Sequence, residues 1–127
     1  MVGPSAQRSA QVFGTPDSQA TRAALRFFKE RRIEAHLVDV SRKPMAPTEL
    51  RRFIDRLGAR AVADESSKVW RDAGLAYIRM DDDELADRLL NDQRLLKLPL
   101  VRVGNGVVAG RDEAAWKALV SAPVSSR

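Results

Sequence analysis

The segment from Leu98 to Ala109 limits the fold more than any other stretch of the chain. It reads Leu-Pro-Leu-Val-Arg-Val, then Gly-Asn-Gly, then Val-Val-Ala. An Asn-Gly turn between two apolar runs is the strongest short-range signal for a β-hairpin, because its backbone twist matches that of the strands it joins. Asp112 then offers a cap for a last helix with Ala115, Trp116, Leu119 and Val120 on one side. The C-terminal part of the chain therefore predicts β-β-α.

The N-terminal part predicts a complementary unit. Ala10 to Phe13 is a short apolar run ended by Gly14-Thr15-Pro16-Asp17, a strong turn cluster, and reads as a first strand. From Ser18 to Arg32 the period is helical, with Ala20, Ala24, Phe27 and Phe28 opposite Arg22, Arg26 and Lys29. Thr15, Pro16 and Asp17 are expected to supply the side-chain cap, the pre-set φ and the acidic first turn. Glu34 to Val40 reads as a second strand, with one face more apolar than the other. So short a β-α-β unit implies a parallel pair.

Between these units the character is helical. Leu50, Phe53, Ile54 and Leu57 make an i, i+3, i+4, i+7 stripe that starts at Pro47 and ends at Gly58. Ser66 or Ser67 can cap a short helix bearing Val69, Trp70 and Ala73, stopped by Gly74. Asp81 to Glu84 precede Leu85, Leu89 and Leu90, which places acids at a helix's positive end. The expected organisation is an N-terminal tail at 1–8, one domain over 9–122 with a helical insert at 47–96, and a C-terminal tail at 123–127.

The plan, β-α-β, helices, β-β-α, is α/β with a mixed sheet and a proline opening the third strand. It is the plan of a thioredoxin fold. A proline there lacks only a donor that a strand start can spare. A cis Leu98–Pro99 bond, which would turn the preceding backbone toward the first helix, is expected.

Composition narrows the chemistry. The chain of 127 residues has no cysteine and one histidine, His36. Disulfides, thiolate nucleophiles and cysteine-based metal sites are thereby excluded, and no metal is expected. The net charge is +5, but 22 basic residues are interspersed with 17 acidic ones. No block of five like charges occurs, which argues against nucleic acid as a partner. No apolar run is long enough to span a bilayer, and the polar first ten residues lack a secretory signal, so the cytoplasm is the expected location.

Several segments together resemble the arsenate reductase-like (ArsC/Spx) family of the thioredoxin superfamily. They are Val12 to Arg22 (VFGTPDSQATR), Ser67-Lys68-Val69-Trp70, Gly74-Leu75, and Leu95 to Val101 (LLKLPLV). The likeness covers residues 10–121 and implies a thioredoxin-like fold with a helical insert. In the reductases a cysteine at the first helix's start attacks the arsenic oxyanion and arginines hold its charge, which suits the anion affinity of a helix N-terminus. The cysteine position falls on Ser18. The family's insert arginine falls on Arg60, and the one after the last strand on Arg111. The arginine before the strand-start proline is replaced by Leu98. The second cysteine of the Spx C-x-x-C pair falls on Thr21, and the Spx arginine ahead of Ser-Lys-Val falls on Ser66.

The resemblance makes Ser18 the nucleophile position, expected to be inactive, with Arg60, Arg111, Thr15 and Gln19 as anion-binding candidates and Pro99 as a structural residue of the site. A serine hydroxyl is a weak nucleophile unless a base takes its proton, and a helix cap is the plainer role for Ser18. Arg60 and Arg111 can equally face solvent or pair with acids such as Asp64 and Asp112. Consecutive acids at 81–84 are explained by capping rather than magnesium, and Trp70 and Trp116 by the core. Gly104-Asn105-Gly106 is a hairpin turn and not a phosphate loop, since no helix follows it directly.

The first expectation is a redox-inactive protein, without cofactor, that binds a small oxyanion or a protein partner. A glutathione- or glutaredoxin-linked oxidoreductase is the alternative if position 18 is natively cysteine. A Spx-like regulator docking on the RNA polymerase α subunit's C-terminal domain is the third.

Overall fold

A computed structural model of the chain describes residues 9–121; the tails expected at 1–8 and 123–127 lie outside the described residues. Strand β1 (Ser9–Gly14) is central because both its faces are apolar: Ala10 and Val12 point to one side and Phe13 to the other, all buried. Strand β2 (Glu34–Asp39) lies parallel to β1, with Phe13 opposite Val38. Strand β3 (Leu100–Val103) runs antiparallel to β1, with Phe13 opposite Leu100. Strand β4 (Gly106–Ala109) completes the hairpin, with Leu100 opposite Ala109.

The sheet order is β2-β1-β3-β4. This order puts the ends of β1, β2 and β4 and the start of β3 at one end of the sheet. The turn after Gly14, Pro99 before β3 and the loop after Ala109 therefore meet there.

Helices cover both faces. Helix α1 (Gln19–Glu30) buries Ala24 and Phe28 against Val12 and Val101, beside Trp116 of α6 (Glu113–Ser121). Phe27 and Trp116 lie 5.5 Å apart between ring centres. Arg31 covers that cluster, its guanidinium 3.7 Å from the Phe27 ring centre and bonded to the Phe27 carbonyl.

The other face carries α2 (Pro47–Leu57), the short α3 (Ala59–Val62), α4 (Lys68–Asp72) and α5 (Asp82–Asn91), with 3₁₀ turns at Leu75–Tyr77 and Gln93–Leu95. Leu50, Phe53, Val62, Leu85 and Leu89 bury their side chains against Phe13 and Leu100. Phe13 meets Phe53 edge to face at 5.8 Å. Asp81 and Glu84 form a reciprocal capping box at the start of α5. Trp70 and Trp116 are both buried.

Three long-range ties fasten the insert. Asp64 and Lys97 donate their amides to the Leu95 and Val62 carbonyls, on either side of a single bridge between Ala63 and Leu96. The Gln93 side-chain amide pairs with both backbone groups of Met45, at 2.8 and 2.9 Å. Arg102 of β3 reaches Glu49 of α2 at 2.8 Å, both being mostly buried.

Two expectations change. The cap of α1 is Ser18, the plainer of the roles read for it, and neither Thr15 caps the helix nor Asp17 enters its first turn, because Ser18 gives its amide to the Thr15 carbonyl and that turn delays the helix. Strand β2 is not one-faced: Ala35 and Leu37 pack toward α1, while Val38 and Val40 pack toward the insert. A sheet covered on both sides leaves no reason for one polar face.

Candidate functional site

The loop Thr15 to Ser18 joins β1 to α1 and is held by a close approach. An added Cβ on Gly14 would lie 2.3 Å from Oγ1 of Thr21, a fully buried residue. That proximity lets Thr21 Oγ1 accept the Thr15 amide at 3.3 Å. Ser18 Oγ in turn accepts the Thr21 amide at 3.2 Å. The Ser18 hydroxyl is thus engaged as a helix cap.

The amides of Gln19 and Ala20 make no hydrogen bond among the described residues, as befits the first turn of a helix. Arg22, one turn further on, returns its Nη1 to the Pro16 carbonyl at 2.9 Å. That guanidinium therefore stands over the turn. Periodicity marks Arg22 only as a solvent-facing residue of α1, since no local pattern reveals a bond to a carbonyl six residues earlier.

The arginines suggested by the resemblance lie in different settings. Arg111 follows β4 at the site's end of the sheet, half-exposed, with Nη2 3.8 Å from the Glu113 carboxylate. The preceding Gly110 gives its amide to the Pro99 carbonyl at 2.9 Å, which ties the Arg111 loop to the proline. Arg60 is engaged within the insert: Nη2 donates to the Met80 carbonyl at 2.7 Å, and Nη1 meets Glu65 at 3.3 Å. Those bonds give it a structural task there.

The Leu98–Pro99 bond is cis and Pro99 is fully buried. Beside it a cavity of about 420 Å³ opens against the turn, with Thr15 and Leu98 in its lining. Val40, Pro44 and Leu90 supply its other apolar walls, and Arg94 stands at the rim. Arg94 grips Asp92 through Nε and Nη2 at 2.9 and 2.8 Å. That bond, and the charge behind it, holds the Asp92 carboxyl below its ordinary value.

His36 supplies no base to Ser18. It sits level with Gln11, three residues before the end of β1, exposed and 3.7 Å from Glu34. Among the described residues no group of three or more histidines, aspartates or glutamates is placed to hold a metal ion. None of the described helices is long and apolar enough to cross a membrane. The end of the sheet thus holds two helix-start amides beside a hydroxyl that has no base, with Arg22 over the turn and Arg111 in the loop after β4.

The model of the ArsC family matches residues 13–119. An arsenate reductase of Neisseria meningitidis (serogroup A) is 28% identical over 104 residues, which is 80% of this chain and 89% of the relative. Among solved structures, an ArsC family related protein from Bacteroides fragilis superposes with a TM-score of 0.76 at 21% identity, over 87% of this chain and 97% of the other. Arsenate reductase from Vibrio cholerae superposes with a TM-score of 0.73 at 18% identity, over 90% and 97%. At such identities these two structures speak for the fold alone, which is thioredoxin-like.

Proposed function

Because the chain belongs to the ArsC family, whose model spans residues 13–119, we propose that it is a binding protein rather than a thiol reductase, holding a small oxyanion at the Ser18 turn. The carrying observation is that Ser18, where the family resemblance puts the attacking cysteine, spends its Oγ as a helix cap in a chain without cysteine. A reductase of the kind its relatives are named for passes electrons through a thiolate, and a hydroxyl has no such oxidised partner state.

The rest of the arrangement suits an anion. Two helix-start amides remain to donate, the helix dipole favours negative charge, and Arg22 and Arg111 lie at the same end of the sheet. A tetrahedral oxyanion would take the Gln19 and Ala20 amides and draw Arg111 from its loose contact with Glu113. Gln19, Ala20 and Arg111 are its residues in this reading, with Thr15 shaping the turn beneath them. Arg60 is left to the insert.

Titration calorimetry with arsenate, phosphate and sulfate tests this. Expected is binding weakened about tenfold by Arg111→Ala, the order of one charge-assisted hydrogen bond. No heat from any of the three at millimolar concentration would overturn the anion reading. Glutathione-dependent arsenate turnover above the protein-free rate would overturn the redox-inactive one.

A further inference from the structure

We propose that the cavity beside the turn is a second binding site, for a small organic carboxylate with an apolar body. It goes beyond the oxyanion reading and does not rest on it. The oxyanion donors are the first amides of α1, whereas this cavity is built by the loop after β2, the end of α5 and Leu98, with Thr15 the residue it shares with the turn.

Its volume of about 420 Å³ falls within the roughly 300–1,000 Å³ usual for small-molecule sites. Val40, Pro44, Leu90 and Leu98 are apolar and only part-buried or exposed, so apolar surface is offered to an occupant. The wall is pre-formed: Gln93 is fixed to the Met45 backbone from 48 residues away. A ligand does not have to order it.

Charge selects the head group. The carboxylates near the cavity are already engaged, Asp92 by Arg94 and Asp39 by the Ser41 amide and hydroxyl. The Asp92 pairing uses Nε and Nη2 of Arg94 and leaves Nη1 to donate outward. In the loop between the lining residues Ser41 and Pro44, Arg42 and Lys43 are exposed and form no ion pair among the described residues. Arg94 in the lining and Arg42 and Lys43 in the adjoining loop thus make three cations against the two engaged anions, Asp92 and Asp39. A carboxylate is favoured there and an ammonium is not.

The test titrates the whole chain with phenylacetate, acetate and phenethylamine, and maps amide shifts by NMR. Phenylacetate is expected to bind about tenfold or more tightly than acetate, the value of burying most of a ring. Phenethylamine is expected to bind more weakly than phenylacetate, and the shifts to fall at residues 40–44 and 90–98. Two exposed or half-exposed positions then give opposite signs: Arg94→Gln weakens phenylacetate about tenfold, while Asp92→Asn frees Arg94 and tightens it. Equal affinity for the acid and the amine, shifts confined to α1, or no change in either variant would overturn the proposal. Inorganic phosphate, titrated in parallel, is expected to shift the first amides of α1 and to leave residues 90–98 unmoved, so the location of the shifts distinguishes failure of one site from failure of the other.

Discussion

Replacing Gly14 by alanine is expected to damage the first strand–helix junction without touching any ligand. The new methyl would sit 2.3 Å from Thr21 Oγ1 and 2.9 Å from its Cγ2, and Thr21 is fully buried and has nowhere to retreat. Overpacking of this kind costs about 1–3 kcal/mol. Displacing Oγ1 also removes the acceptor of the Thr15 amide, worth about 1 kcal/mol more. The sum, about 2–4 kcal/mol, corresponds to a fall in melting temperature of about 8–16 °C for a domain of this size. Thermal unfolding followed by circular dichroism reads it directly. The control is a cycle with Thr21→Ala, which removes both clashing atoms. On that background the Gly14 substitution should be nearly neutral, giving a coupling energy about as large as the single effect. A fall below about 3 °C, or the same fall in both backgrounds, would refute the close-approach argument.

Ser18→Cys would place the chain's lone thiol at the start of α1; its alkylation rate against pH should report a pKa below the ordinary value of about 8.5, and a value at or above that of the urea-unfolded variant would contradict the helix-start geometry. Gln93→Ala strips both backbone partners from the buried Met45, so the urea midpoint should fall by the equivalent of about 1–3 kcal/mol. Asp92 has its folded pKa depressed below 3.8 by Arg94, so its stabilisation is present above that value and is lost as pH falls through the folded one. The stability gap between the parent and Asp92→Asn should accordingly close as the solution is acidified below about pH 4, and a gap that widens would reverse the sign.

What sequence alone could show follows the reach of each signal. The hairpin at Gly104 to Gly106, the α2 stripe and the acids ahead of α5 depend on neighbours within a turn or two, and each is legible. Helix α3 was not, since four residues cannot show a period and Gly58, with φ of 90°, both ends α2 and precedes α3. Thr15 and Ser18 are both good cap formers, and local sequence does not choose between them. The Thr15–Ser18 turn decides the matter. The cavity was invisible because its lining comes from four separated segments. Arg60 is singled out by the resemblance alone, and its bond to Met80, 20 residues away, leaves no mark in the sequence.

The alternation of β3 fixes more than two cores. Leu100 and Arg102 face the insert, where Arg102 holds Glu49, while Val101 and Val103 face Trp116 and Phe28. Sliding β3 by one residue along β1 would drive a guanidinium among aromatic rings and turn valines toward a carboxylate. The strand is toothed on both edges and has a single seat. Since Pro99 and the Arg111 loop are carried by that hairpin, their height relative to the Ser18 turn is locked from both sides of the sheet.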